Sequence, residues 1–189
     1  MTHIIPKQKS FITHGIVLKR SNIGETDRVV TLLTQNQGKI AVIAKGVRSL
    51  ASSKRAALEP GNYVKVFLIS GSSMHILTQA QIIEDCSVIR HDLQRIKHLT
   101  QLLEILFHIF VEEELNDETF HLVLSLRKRV LQENFSVTKL KKELSSLLEN
   151  LGFQSLEKSG YTTISDYIAS LTNQSLRSYS YLTLKSIHK

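Results

Sequence analysis

The chain has 189 residues, 42% hydrophobic and 22% charged, the balance of a globular protein with one domain or two small ones. A single cysteine, Cys86, excludes an internal disulfide framework and any cysteine-rich zinc site within the chain. The start MTHIIPKQKS lacks the apolar core of a signal peptide. The longest apolar run, 102–111, is too short to cross a bilayer. The sequence therefore predicts a soluble, cytoplasmic protein that has no membrane partner.

The net charge of +7 is confined to the first half of the chain. Residues 1–83 hold 11 Lys and Arg against 3 Asp and Glu, which leaves 13 against 14 for residues 84–189. A separate basic module indicates a polyanionic partner, and nucleic acid is the common one. A general gain in solubility would also explain the excess.

Period-two alternation predicts five strands in the first half, at residues 11–19, 28–34, 39–44, 62–70 and 75–83. The segment KRAALE (54–59), between the third and fourth strands, has helix formers enough for one or two turns. Five strands with a short helix at this point are the order of an OB-fold, a small Greek-key barrel that often binds oligonucleotides. Another small barrel would fit the same pattern.

Helical spacing of apolar residues takes over in the second half. A first helix runs from about Leu93 to Phe110, and Asn116 and Ser136 are suited to cap the next two. Gly152 fits the position after the third helix, and two short helices are expected at 164–172 and 176–187. The predicted class is α+β, with an OB-fold domain at 1–83 and a helical domain at 84–189.

The sequence contains no motif that binds nucleotide phosphates or dinucleotides and none that carries a nucleophilic serine. We therefore expect the protein to have no enzymatic activity and no cofactor. One alternative is a metal-dependent enzyme whose ligands come from two helices. Its candidate ligands are two pairs spaced i, i+4: Glu104 and His108, and Asp117 and His121. Glu104 and His108 each interrupt an apolar run, which is also typical of a boundary between core and solvent.

Basic residues of the first domain lie on strand ends and on the connection AKGVRSLASSKRAALEPG (44–61). Cations along a groove neutralise phosphates, and aromatic stacking platforms are scarce, which predicts binding without sequence readout. Any single cation could equally be a solvated surface charge. The predicted DNA contacts are Arg20, Lys39, Lys45, Arg48, Lys54, Arg55, Lys65 and Tyr63.

Two further basic clusters lie in the helical half, next to apolar residues. An apolar pocket rimmed by cations suits a short acidic and hydrophobic peptide, although the ordinary polar face of a helix has the same pattern. The candidate peptide contacts are Arg127, Lys128, Arg129, Lys139, Lys141 and Lys142.

Residues 15–61 closely resemble the amino-terminal domain of the RecO family, bacterial DNA repair proteins and recombination mediators. The shared pattern runs from a VL strand through Glu-Thr and Gly-Lys to AKGVR (44–48), its most specific part. Weaker similarity continues at 77–85, 140–153 and 168–178. The resemblance implies an OB-fold followed by a helical domain.

The resemblance also implies a function. Members bind single- and double-stranded DNA, anneal complementary strands, and act with RecR to load RecA onto strands coated by single-stranded DNA-binding protein. They contact the acidic tail of that coating protein through the helical domain. The resemblance therefore implies that the candidate peptide contacts at 127–129 and 139–142 bind this tail. A general RNA-binding OB-fold protein is the alternative.

The sequence departs from the family where many members carry four zinc-binding cysteines after the helix that ends in LGF (151–153). No cysteine follows Cys86 here, so we expect no zinc, and the RecR contact is left open.

Overall fold

The computed structural model describes residues 10–50 and 52–181. The chain divides into two compact units, Met1–Asp85 and Cys86–Lys189. The first unit carries all the strands of the described residues, and the second carries all the helices. This arrangement confirms the predicted order of a β domain followed by a helical one.

Five strands form the first unit: β1 Ser10–Ile23, β2 Asp27–Thr34, β3 Gly38–Ala44, β4 Tyr63–Ile69 and β5 His75–Glu84. They close a barrel in the order β1-β2-β3-β5-β4, in which only β3 and β5 run parallel. All five predicted strands are confirmed, and the barrel is an OB-fold. Alternating residues point inward, as in β3, where every second residue from Gly38 to Ala44 is buried.

β1 is longer than the sequence pattern indicates, because residues 21–23 continue the strand instead of starting a turn. A bulge between Val17 and Lys19 bends the strand, so its first half pairs with β4 and its second half with β2. The turn between β1 and β2 is therefore confined to Gly24–Thr26. This places the end of β1 beside the start of the connection between β3 and β4.

The described residues between β3 and β4, 45–50 and 52–62, form a series of turns, and the predicted short helix at 54–59 is not formed. One bond of helical type remains, from the N–H of Leu58 to the carbonyl of Lys54 at 3.3 Å. Val47, Ala57 and Leu58 of this segment are buried and join the barrel core. Anchoring the segment at these three points fixes its path, and its polar residues are left on the outside.

The second unit contains a short 3-10 helix, Ser87–Ile89, and five α-helices: α1 Leu93–Ile109, α2 Asp117–Leu131, α3 Val137–Asn150, α4 Ile164–Thr172 and α5 Arg177–Tyr181. The predicted last helix extends to 187, and its part after Tyr181 lies outside the described residues. Leucine, valine and isoleucine side chains from the first four α-helices are buried together in this unit. None of the described helices combines the length and the apolar character needed to cross a membrane.

Helix ends follow the capping pattern read from the sequence, with one exception. The side chain of Asn116 accepts a hydrogen bond from the N–H of Thr119 at 2.7 Å, as predicted for an N-cap. Ser136 precedes α3 but its side chain forms no cap bond. Gly152, with φ +85°, donates to the carbonyl of Glu149, which closes the end of α3 in a left-handed turn.

Candidate nucleic-acid interface

The start of the β3–β4 connection is tied to the turn between β1 and β2. Oδ1 of Asp27 accepts a hydrogen bond from the N–H of Gly46 at 2.8 Å. The N–H of Arg48 donates to the carbonyl of Thr26 at 2.9 Å, and its Nη1 donates to the carbonyl of Gly24 at 3.0 Å. Gly46 has φ +64°, a left-handed conformation that favours glycine. These bonds give the AKGVR segment a defined path on the barrel surface.

Asp27 is ionised at neutral pH. The N–H of Gly46 and then the hydroxyl of Thr26 lower the pKa of its carboxyl group, and the charges of Lys45 and Lys54 act in the same direction. These effects outweigh the desolvation that opposes them. Asp27 is therefore negatively charged when it accepts the hydrogen bond from Gly46. This bond fixes the backbone next to Lys45 and Arg48.

The four cations of the connection form no ion pair among the described residues, although the carboxylate of Asp27 lies near enough to Lys45 and Lys54 to interact with their charges. Lys45 and Arg55 are exposed, and Lys54 donates from Nζ to the carbonyl of Lys45 at 3.2 Å. Arg48 likewise donates to a backbone carbonyl, which satisfies its hydrogen bonding without neutralising it. None of the four pairs with an acid within the described part of the chain. Such side chains are available to phosphates.

Arg20 differs from these four because it forms an ion pair with Glu59. Glu59 is the single acid of the connection, and the pair links the second half of β1 to the segment before Pro60. The charge of Arg20 is therefore balanced in the free protein. Its predicted contact with DNA would require exchange of the carboxylate for a phosphate.

Arg28, at the start of β2, is a further cation, outside the set of predicted DNA contacts. Its Nε donates to Oδ1 of Asn22 at 3.1 Å, and its Nη1 is buried without a partner among the described residues. Burial and then the positive charges of Arg20, Arg55 and Arg48 lower the pKa of Arg28. A carboxylate nearby offsets this only in part. The lowered pKa reflects burial first and the neighbouring cations second, and the position of Arg28 on a strand end indicated neither.

We call this group of side chains at one end of the barrel the cation cluster. Its members are Arg20, Arg28, Lys45, Arg48, Lys54 and Arg55.

Lys39 and Lys65 do not belong to the cation cluster. Lys39 is five residues from Ala44 along β3, or about 17 Å at the rise of a strand. Lys65 is exposed on β4 opposite His14, six residues before Arg20 on β1. Both residues remain predicted DNA contacts. An extended nucleic-acid strand would be needed to contact them and the cation cluster at the same time.

Tyr63 begins β4 opposite Ile16 and is half-buried. Its ring lies against that of His14, with centroids 6.5 Å apart. One part of the ring is therefore covered by the protein, and the predicted stacking on a base stays a prediction.

The cations of the helical unit separate into three kinds. Arg127 is fully buried, with 0% of its surface exposed, so it does not lie where a peptide could reach it. The reason is helical periodicity, which places Arg127 on the same face of α2 as the buried Val123 and Val130. Arg129 donates from Nε to Oε1 of Glu143 at 2.7 Å and is paired between α2 and α3. The exposed cations are Lys128, Lys139, Lys141 and Lys142.

Lys141 lies at an apolar cavity of about 320 Å³ within the helical unit. Half of the lining residues are aliphatic, and these come from α1, α3 and the start of α4 and include Leu102, Ile105, Leu140 and Leu144. Lys141 is the one fully charged side chain among the lining residues. The cavity therefore offers an apolar surface with a single cation at its edge.

Glu104 of the metal hypothesis caps the last helix. Its carboxylate accepts hydrogen bonds from the N–H of Arg177 at 2.8 Å, from the N–H of Ser178 at 2.9 Å and from the hydroxyl of Ser178. Burial opposes ionisation, but the bonds from Ser178 and then Arg177 outweigh it and lower the pKa of Glu104. Nε2 of His108 lies 4.0 Å from Oε1 of Glu104. Within residues 10–50 and 52–181, no group of three or more His, Cys, Asp or Glu could hold a metal ion.

Comparison with known proteins finds similarity where the cation cluster lies. The family described as "Recombination protein O N terminal" matches residues 9–86. The chain is 33% identical over 102 residues to a DNA repair protein RecO of Acetivibrio thermocellus, covering 54% of this chain and 41% of the relative. It is 34% identical over 119 residues to that of Dehalococcoides mccartyi, covering 63% and 47%. A RecO of Frankia casuarinae is 44% identical over 69 residues, covering 36% and 28%.

The chain spans less than half the length of these relatives in each alignment. The matched family region contains the whole barrel, including the β3–β4 connection.

Proposed function

We propose that the chain is a member of the RecO family of DNA repair proteins and that its barrel binds DNA by neutralising phosphates at the cation cluster. The observation that carries this proposal is the connection of residues 45–61, held in place by Asp27 and the β1–β2 turn. Lys45, Arg48, Lys54 and Arg55 project from it without acidic partners among the described residues. Because the backbone that carries them is held in place, these cations are positioned along one segment before a phosphate backbone binds.

The same array supports strand annealing. Two complementary strands repel each other through their phosphates, and this repulsion is the barrier that must be lowered before bases can pair. Cations that bind the backbone lower it without touching the base edges, so single- and double-stranded DNA should both bind. No bond in the DNA is made or broken, and no nucleophile or cofactor is required.

The binding proposal is tested with the triple variant Arg48→Ala, Lys54→Ala, Arg55→Ala. Its affinity for two unrelated single strands and one duplex should fall by a similar factor, roughly 10- to 100-fold, because phosphate contacts carry no sequence information. The control is Lys128→Ala, Lys139→Ala, Lys142→Ala, which makes the same charge change on exposed residues of the helical unit. Equal binding by wild type and the cluster variant would reject the assignment.

The annealing proposal needs its own assay, in which two complementary labelled strands are mixed with and without the coating protein. The wild-type chain should accelerate pairing, and the cluster variant should lose most of that acceleration. A competition between single strands of DNA and RNA of one sequence separates this function from that of a general RNA-binding protein. Preference for the RNA would favour that alternative.

For the helical unit we propose a second role, as the site for the acidic, hydrophobic tail of single-stranded DNA-binding protein. The apolar cavity beside Lys141 supports it, since apolar tail residues would be buried there while an acidic group meets the ammonium. Arg127 is omitted from this site because it is buried, and Arg129 because it pairs with Glu143.

Two charge reversals on one helix test the tail site. Lys141→Glu lies at the cavity, whereas its exposed neighbour Lys142→Glu does not line it. In a titration with a tail peptide, Lys141→Glu should abolish binding and Lys142→Glu should weaken it slightly. Equal effects of the two variants would mean that the peptide senses net charge and not this cavity.

With both sites in one chain, we propose that it acts as a recombination mediator. The helical unit would bring the barrel to coated DNA, and RecR would be the partner in loading RecA. Loading of RecA on coated single strands should require RecR and fail with the Lys141→Glu variant. Unchanged loading by that variant would mean that the mediator role does not require the tail contact.

A further inference from the structure

One acid, Glu59, lies beside the cation cluster and pairs with a member of it. Glu59 is the single acid of the connection 44–61, and its carboxylate accepts a hydrogen bond from the guanidinium of Arg20. The side chains of Arg20 and Glu59 are 32% and 42% exposed, so the pair is open to solvent at the surface that would meet DNA. The negative charge of Glu59 also acts on Arg28.

The backbone on both sides of Glu59 is held by contacts that do not involve its carboxylate. Leu58, which precedes it, is fully buried in the barrel core. After it, the N–H of Gly61 donates to the carbonyl of Val17 at 2.8 Å, and the N–H of Asn62 donates to the carbonyl of Glu59 at 3.1 Å. The carboxylate is therefore presented to Arg20 from a fixed backbone that does not need the ion pair to hold it.

The two acids next to the cation cluster differ in what they hold. The carboxylate of Asp27 accepts the N–H of Gly46 and so fixes the path of the connection. The carboxylate of Glu59 holds the charged end of Arg20 instead. An ion pair between partly exposed side chains adds little to stability, because solvent screens it and both side chains lose freedom. The main consequence of the pair is therefore that Arg20 is occupied in the free protein.

A DNA phosphate and a carboxylate bind a guanidinium in the same way. Both accept hydrogen bonds from its N–H groups, and both match its planar fork with two oxygens. They therefore compete for the same donors of Arg20. When the phosphate binds, the carboxylate of Glu59 returns to solvent.

We propose that Glu59 is an internal competitor of DNA, which occupies Arg20 in the free protein and is exchanged for a phosphate on binding. The inference rests on the proposed binding of DNA at the cation cluster, and it adds a residue that sets how tightly and for how long a strand is held. Competition within the protein lowers affinity and speeds release. Fast release suits annealing, because the paired product has to leave before the next strands can bind.

The test is a double-mutant cycle on Arg20 and Glu59, measured with one single-stranded oligomer at fixed salt concentration. Glu59→Gln should bind about 2- to 5-fold more tightly than wild type and release the oligomer more slowly, because an exposed ion pair no longer has to be broken. In an Arg20→Ala background, the same substitution should change the affinity by less than about 1.5-fold, since the competed cation is gone.

Glu25→Gln is the matched control for charge. Glu25 is exposed in the β1–β2 turn beside the cluster and forms no ion pair among the described residues, so its replacement removes the same charge without freeing a cation. It should raise the affinity less than Glu59→Gln does. Urea unfolding should give Glu59→Gln a midpoint close to that of wild type, since the backbone bonds remain.

Three results would overturn the competitor role. Equal gains from Glu59→Gln in the two backgrounds, or an equal gain from Glu25→Gln, would mean that only net charge matters. Weaker DNA binding by Glu59→Gln together with a lowered unfolding midpoint would mean that the pair anchors the connection. In each of these cases the proposed DNA binding still stands. Equal binding by wild type and the Arg48, Lys54, Arg55 alanine variant overturns that proposed function instead.

Discussion

Replacing Glu104 with glutamine should destabilise the helical unit by about 2 kcal/mol at neutral pH. The carboxylate accepts the N–H groups of Arg177 and Ser178 through different oxygens, and the hydroxyl of Ser178 as well. Glutamine keeps one oxygen and turns an amide N–H₂ towards the other donors. Hydrogen bonds to a charged group contribute about 1.5–3 kcal/mol and neutral ones about 0.5–1.5, so losing the charge and one acceptor leads to this magnitude.

The effect should depend on pH with a defined sign. Because the folded-state pKa of Glu104 is lowered, its contribution is complete above the unfolded pKa of about 4.3 and is lost as pH falls through the folded value. The difference in stability between wild type and Glu104→Gln should therefore be constant near pH 7 and shrink in acid.

Urea unfolding followed by circular dichroism at 222 nm measures this difference between pH 3 and pH 7, and hydrogen exchange at Ser178 reports the local cap. Glu113→Gln is the matched control, since it removes the same charge from an exposed position just after α1. Equal stability of the two variants, or a difference that does not change with pH, would refute the capping account of Glu104.

Two further predictions concern the β3–β4 connection. Gly46→Ala should lower the free energy of unfolding by about 1–2 kcal/mol through backbone strain alone, because φ is +64° and an added Cβ meets no atom within 4 Å. The variant should also bind DNA more weakly. Unchanged stability and unchanged affinity would contradict this prediction. Leu58→Ala should cost about 2.7–5 kcal/mol since Leu58 is fully buried, whereas Leu50→Ala, at 97% exposure, should stay within about 0.5 kcal/mol. Urea unfolding compares the two leucine variants, and similar costs would mean that the connection does not plug the barrel core.

The barrel was predictable from sequence because alternation marks its strands, most clearly β3 and β4. Alternation from Lys39 to Ala44 reflects directly which residues face the interior. The segment 54–59 was misjudged because local helix propensity favoured a helix, whereas burial of Ala57 and Leu58 in the barrel fixes a different path. Tertiary packing outweighs propensity over so short a segment.

The candidate site was predictable in composition but not in arrangement. The count of cations at 45–55 comes from sequence alone, but their link to Gly24 and Thr26 needs the barrel to bring the β1–β2 turn beside them. Arg127 is the opposite case, since the spacing of Val123 and Val130 already placed it on the apolar face of α2. The basic triplet 127–129 indicates a charged surface, but for Arg127 helical position decides and the side chain is buried.

Long-range partners explain the remaining differences. Glu104 and Ser178 are 74 residues apart, so the sequence shows an i, i+4 pair with His108 and no sign of the cap.

The salt dependence of single-strand binding tests the central claim most directly. Each phosphate contact contributes about 0.7 to the slope of log affinity against log salt concentration for a single strand. Wild type should show a steep slope, and the Arg48, Lys54, Arg55 alanine variant should show one smaller by about 2, since three contacts are removed. Identical slopes for the two proteins would contradict the assignment of these cations to the DNA backbone.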